Sequence, residues 1–238
     1  MMRNKKRVTT RTYKGRNSVR AYMTPKELKS KAKTFYVYKD NRGFPIITTM
    51  FTINDEMKCF NNFNEAYVYW LNQIEVNCPD TVIVEVDTST FYVKELQQYS
   101  VSYAYRILKG KKVILEKSEL FGTISMENHK IGTYGVAELI GATYALKELD
   151  AIPHNNVVIR FDNQYIQNVA WGRRVDISKE NARYVAEYVR TYNHVLENAE
   201  VSFQHVYSHV GDTAHDNIDK KAKDKNREAN EKILAFAY

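Results

Sequence analysis

Cysteine is scarce in this chain, long apolar runs are missing, and the first 33 residues hold a single acid. Each shortage excludes something. Cys59 and Cys78 lie far apart and fit no metal-ligand spacing; a reduced intracellular thiol pair is the reading preferred over a disulfide. No stretch approaches the ~18 consecutive apolar residues that a membrane span requires. The N-terminus is basic but has no apolar segment of the kind a signal peptide carries. A soluble, cytoplasmic protein with no membrane partner is therefore expected. No internal repeat is evident.

What is present suffices for a folded core. The chain has 238 residues, 44% of them apolar and 13% aromatic, with eighteen tyrosines, so it reads as globular. That length holds one sizeable domain plus an appendage, or two small domains. The net charge of +7 conceals a division. Residues 1–33 carry twelve Lys and Arg, among them Lys5, Lys6, Arg7 and Arg11, against Glu27 alone, which makes this arm +11 and leaves the remaining body at −4. A cationic arm on a slightly acidic body points to a polyanionic partner, with nucleic-acid contacts through the arm that weaken with salt.

Residues 1–24 lack apolar periodicity and read as flexible; Thr24-Pro25-Lys26-Glu27 has the composition of a helix start. Thr34–Tyr38 and Pro45–Phe51 are predicted strands joined by the turn Asp40-Asn41-Arg42-Gly43, and Asn62–Asn72 is a predicted amphipathic helix. Residues 34–76 thus form a small ββα module. Asn77-Cys78-Pro79-Asp80 follows as a linker, and 80–238 as a second domain.

In that second domain Thr81–Val86 (TVIVEV) suits a buried central strand. Tyr99–Leu108 and Lys112–Leu120 flank the hairpin signal Lys109-Gly110-Lys111. Then come a helix over Tyr134–Leu149, a strand over Asn156–Phe161, a helix from Asn163 to Ala170, a helix over Ser178–Glu197 with Ser178 as N-cap, a strand over Glu200–Tyr207 and a helix from Asp216 to Leu234. The expected fold is α/β, a mixed five-stranded sheet flanked by helices.

Four acids fall where this order brings strand ends and helix starts together. Asp87 follows the first strand, Glu138 sits on the inner face of the first helix, Asp162 follows the fourth strand, and Asp219 lies in the first turn of the last helix, ten residues after His209. Any one of them has an ordinary explanation as a turn residue or a helix-end charge. Together they would repel one another unless cations neutralised them, and carboxylates are the ligands that Mg2+ or Mn2+ prefers. Two such ions ~3.5–4 Å apart activate water and stabilise the leaving oxygen of a phosphodiester attack.

These residues resemble type I ribonuclease H. Asp87 is similar to that family's first-strand aspartate. Ala137-Glu138-Leu139 with Ala142 and Ala145-Leu146 is similar to its A-E-L helix. Phe161-Asp162-Asn163-Gln164-Tyr165-Ile166 is similar to its Asp motif, and His209-x-Gly211 with Asp219 and Ala222 to its tail. The resemblance covers about residues 80–228. It implies a ribonuclease H-like fold, two Mg2+ ions (Mn2+ as substitute) held by Asp87, Glu138, Asp162 and Asp219, and His209 assisting water activation or product release. It also implies an endonuclease that cuts the RNA strand of RNA–DNA hybrids, with Ser89, Thr133, Tyr134 and Asn163 at the nucleic-acid surface.

Residues Trp171–Tyr192 resemble the branch carrying an N-terminal viroplasmin-like, hybrid-binding module. Phe35-Tyr36-Val37 and Asn64-Glu65-Ala66 fit that module loosely, without its central Trp segment. Three positions depart from the ribonuclease H pattern: Thr88-Ser89 for the usual Gly-Ser, Thr133-Tyr134-Gly135-Val136 ahead of Glu138 where Asn residues are common, and His215 where Asn is usual. They keep two alternatives open: an inactive ribonuclease H-like scaffold that binds nucleic acid, and another nuclease on the same fold, an exonuclease or a resolvase.

Overall fold

The computed structural model describes residues 34–49, 57–127, 130–173, 175, 177–206 and 212–236. The basic arm with Lys5, Lys6, Arg7 and Arg11, the helix start at Thr24, and His209 lie outside the described residues. The chain divides into two compact units, residues 1–70 and 71–238.

In the first unit β1 (Phe35–Lys39) and β2 (Pro45–Thr48) form the expected hairpin. Its turn closes because Asp40 Oδ1 accepts hydrogen bonds from the Arg42 and Phe44 amides, while Gly43 takes the positive φ of +81° that disfavours other residues. A third strand, β3 (Lys58–Phe60), pairs antiparallel with the other edge of β1, giving the order β2-β1-β3. The ββα expectation was one strand short, since three residues are too few to show an alternation. Phe35, Val37 and Ile47 point inward, and Trp70, on α1 (Phe63–Asn77), donates its indole N–H to the Pro45 carbonyl oxygen.

The second unit is built on a mixed sheet of order β6-β5-β4-β7-β8. Its strands are β4 (Thr81–Val93), β5 (Gln98–Lys109), β6 (Lys112–Ser125), β7 (Asn156–Phe161) and β8 (Glu200–His205). β4, β5 and β6 run antiparallel; β7 and β8 join β4 in parallel, which requires the helical crossovers that the sequence supplies between them. α2 (Lys130–Lys147) and α4 (Ala182–Asn198) cover one face, burying Leu139, Leu146, Tyr188 and Val195 against Val82, Val84 and Val86. α3 (Tyr165–Ala170) is a short helix after β7, and α5 (Thr213–Phe236) covers the opposite face through Ile218 and Ala222 against Ala104.

Three boundaries moved for identifiable reasons. β4 does not stop at Val86, because β5 continues to pair with it as far as Val93↔Gln98. Asp87 therefore lies within the strand rather than after it. α4 begins at Ala182, not Ser178. Ser178 donates its amide and hydroxyl to the buried Glu127 carboxylate, which also accepts from Asn181 Nδ2. A turn of 3-10 helix, Glu148–Ala151, ends α2. No helix among the described residues is long and apolar enough to cross a membrane.

Candidate metal centre

Side chains alternate along β4, so Glu85, Asp87 and Ser89 face α5 whereas Val86 and Thr88 face α2. Two adjacent rows on the α5 face carry charge. In the first, the register sets Glu85 between Arg106 on β5 and Arg160 on β7. Glu85 is 0% exposed and Arg160 1%. Arg160 bonds Glu85 through Nη1 and reaches Asp212 Oδ2 through Nη2 at 2.5 Å, and Arg106 bonds the other Glu85 oxygen. Asp212 in turn caps α5, accepting the His215 amide on Oδ1 at 3.1 Å. Two guanidinium groups thus meet two carboxylates, the balance a buried charge requires.

The second row lies two residues further along. It holds Ala104 opposite Asp87, and Asp162 one position past the end of β7. From above, α5 lowers His215, whose Nε2 is 3.3 Å from Asp87 Oδ2. One donor atom each from Asp87, Asp162 and His215 lie within 4.8 Å of one another. Glu138 approaches from α2, and the Thr88 hydroxyl donates to its Oε1 at 2.6 Å. Glu138 Oε2 and Asp162 Oδ1 are buried and have no hydrogen-bond partner among the described residues.

The electrostatics record the imbalance. Burial and then the nearby Asp162 and Asp219 charges push the Asp87 carboxyl well above the ordinary aspartate range. Burial, with Asp87 the largest of the neighbouring charges, does the same to Glu138. Burial and the Arg160 charge lower the His215 imidazole. Asp219 adds to this field but lies outside the tight group, and its carboxylate accepts from Lys223 Nζ at 2.6 Å.

Local sequence explains how the helices come this near. A Cβ on Gly141 would stand 2.8 Å from Thr88 Cγ2, and one on Gly135 would stand 2.3 Å from the Tyr165 ring. Glycine at these points lets α2 lie against β4 and against the turn that carries Asp162. In that turn Asn163 Oδ1 accepts the Tyr165 amide, and His205 Nε2 lies 3.0 Å from the Asp162 carbonyl oxygen.

Of the residues expected from sequence, Asp87, Glu138 and Asp162 converge, and Asp219 stands beside them. Tyr134 is 42% exposed one helical turn before Glu138. The Ser89 carbonyl oxygen is tied to Asn226 Nδ2 at 2.8 Å. Thr133, expected at the nucleic-acid surface, is instead fully buried, and its hydroxyl accepts the Glu127 amide because it closes the start of α2. His215, read as a departure, belongs to the centre. The Glu85–Arg160 pair was missed although a signal existed: in TVIVEV and NVVIRF the lone charge sits two residues before a site aspartate, with opposite signs.

The mixed sheet order, the helices on both faces and the acids at the β4–β7 junction define a protein of the ribonuclease H-like fold. The chain belongs to the RNase H family, whose model matches residues 85–227. Among solved structures it is similar to RNase H1 from the halophilic archaeon Halobacterium salinarum, at 13% identity and a TM-score of 0.48, over 62% of this chain and 98% of that one. An N-terminal RNase H domain from Mycobacterium tuberculosis, solved as a fusion with maltose-binding protein, matches at 13% identity and a TM-score of 0.48, over 63% and 98%. LC11-RNase H1, isolated from compost by a metagenomic approach, matches at 15% identity and a TM-score of 0.48, over 63% and 98%. No curated protein matches the chain.

Proposed function

We propose that the protein is a metal-dependent endoribonuclease that hydrolyses the RNA strand of RNA–DNA hybrids by a two-metal-ion mechanism. The observation that carries this reading is the uncompensated row: Asp87 and Asp162 gather in an RNase H domain with Glu138 in their field, and two buried carboxylate oxygens have no hydrogen-bond partner among the described residues. Orphaned acceptors in a field of like charge fit hard cations. Asp87, Glu138, Asp162 and Asp219 would hold Mg2+, or Mn2+ in its place. Such ions supply positive charge to a phosphodiester and lower the pKa of water for the attack.

The chain's own residues do the rest. The Thr88 amide donates to Asp87 Oδ1 and anchors that carboxyl at the middle of the row. The Thr88 hydroxyl orients Glu138, and Lys223 orients Asp219. Tyr134, Asn163 and Ser89 border the centre and would meet the hybrid along its minor groove, where RNA displays 2′-hydroxyl groups. His209 is the candidate for assisting water activation or product release. Residues 1–33, with Lys5, Lys6, Arg7 and Arg11, would add a salt-sensitive attraction to phosphates, and residues 34–76 a packing or hybrid-binding module.

The test is incubation with internally labelled RNA–DNA hybrid, RNA duplex and DNA duplex, each with Mg2+, Mn2+ or a chelator. Hybrid cleavage in metal, none in chelator and none by Asp162→Asn is expected; an Asp162→Asn protein that cuts normally removes Asp162 from the mechanism. The Thr88 hydroxyl already occupies one oxygen of Glu138, which favours a second reading, a hybrid-binding module without activity. Salt-sensitive hybrid binding with no cleavage in either metal would select it. Products only from labelled ends would point to an exonuclease.

A further inference from the structure

His215 occupies an unusual position for a structural histidine. It is 7% exposed, in the first turn of α5, with Nε2 turned to Asp87 and within ligand distance of the space that Asp87 and Asp162 share. Its backbone is set from below: Asp212 accepts its amide, and Arg160, tied to Glu85, holds Asp212. Its other nitrogen, Nδ1, is buried and has no hydrogen-bond partner among the described residues. In most buried imidazoles a bond at one nitrogen decides which nitrogen carries the proton. Nε2 is the nitrogen that faces the space the aspartates line, and coordination there would leave the proton on Nδ1.

The chemistry of the donor set then changes. Carboxylates alone suit a hard ion such as Mg2+, which takes oxygen ligands and retains its waters. An imidazole nitrogen among them is a borderline donor and raises affinity for Mn2+, Co2+ or Zn2+ relative to Mg2+. We propose that His215 is a nitrogen ligand of the centre formed with Asp87 and Asp162, and that it biases this centre toward Mn2+-like ions over Mg2+. The inference rests on the reading that the centre binds divalent cations.

Calorimetric titration of the chelator-treated full chain with MnCl2 and with MgCl2 tests it. In the unsubstituted protein the Mn2+ preference is expected to exceed that of His215→Asn by about tenfold, with the Mg2+ affinity of the variant little altered. A 15N spectrum of the imidazoles in the unsubstituted protein adds a readout that needs no variant: Zn2+ should shift Nε2 of His215 as coordination does. Equal Mn2+ to Mg2+ ratios in the two proteins, or a His215 resonance that ignores Zn2+, overturn the inference while leaving a carboxylate centre intact. Failure of the unsubstituted chain to bind either ion removes the cation centre itself, and the inference with it.

Discussion

Two neighbouring rows on one face of the central sheet treat charge in opposite ways. In the row through Glu85, every buried anion meets a guanidinium: Arg106 and Arg160 flank Glu85, and Arg160 reaches on to Asp212. In the row through Asp87, one repeat further along the same strands, Ala104 stands where Arg106 stood and Asp162 where Arg160 stood. The backbone geometry is the same, and only the partners differ. Burial of an ion costs several kcal/mol unless a partner offsets it. The first row contains its own compensation and serves the fold. The second lacks a guanidinium partner, so its carboxyls rise in pKa, and the proposed cations would supply the missing charge.

The largest expected effect comes from breaking the compensated row. Arg160→Met should lower the unfolding free energy by about 3–5 kcal/mol, because Glu85 and Asp212 lose their shared cation. Denaturant unfolding reads this directly, and a loss below ~1 kcal/mol would mean the row is not a buried network.

The second row should answer with the opposite sign. Asp87 and Glu138 are raised above their ordinary values of 3.8 and 4.5, so folding favours their protonated forms. Their stabilising contribution is complete below those ordinary values and is lost as pH rises through the raised ones. The melting temperature of the metal-free protein should therefore fall as pH climbs from about 4 toward neutrality, over and above the rest of the protein's titration. Asp87→Asn with Glu138→Gln should flatten that slope and melt higher at neutral pH than the unsubstituted protein, at about 2–4 °C for each kcal/mol relieved. Added Mg2+ should recover the loss only in the unsubstituted protein.

A smaller effect is expected at the contact that brings α2 to the second row. Gly141→Ala sets a Cβ against Thr88 Cγ2 and Val86 Cγ2, and should cost about 1–3 kcal/mol. Pairing it with Thr88→Ala should return part of that loss in a double-mutant cycle. An additive pair would place the strain elsewhere.

The smallest effect sharpens the contrast between buried and exposed charge. Arg227 and Asp224 form an i,i+3 pair at 3.2 Å on the surface of α5. Arg227→Ala should change stability by no more than about 0.5 kcal/mol, since water screens both groups. A cost near that of Arg160→Met would mean that burial does not separate the two cases.

Much of the frame was legible in advance. The β-branched runs TVIVEV and NVVIRF, the turn at Lys109-Gly110-Lys111 and the small residues around Glu138 carry their own periodicity, and each became the element it suggested. Asp87, Glu138 and Asp162 were legible because the paired strands β4 and β7 and the inner face of α2 come together in a sheet of this order. Other features were not. β3 is too short to leave a pattern, and the extent of β4 was set by its partner β5 rather than by β4 itself. Thr133 looked like a surface polar residue until the Glu127 amide claimed its hydroxyl. His215 looked like a departure until α5 folded it onto Asp87.

Local order is what the sequence by itself determined: which segments extend, which coil, and which faces are apolar, since these depend on neighbours three or four residues away. Only the tertiary structure decided which charges meet. Glu85 finds Arg160 across 75 residues, and Asp212 reaches Arg160 across 52. Such pairings depend on strand register and helix docking, where a shift of β4 by two residues would set Glu85 beside Ala104 and Asp162 in place of the two arginines.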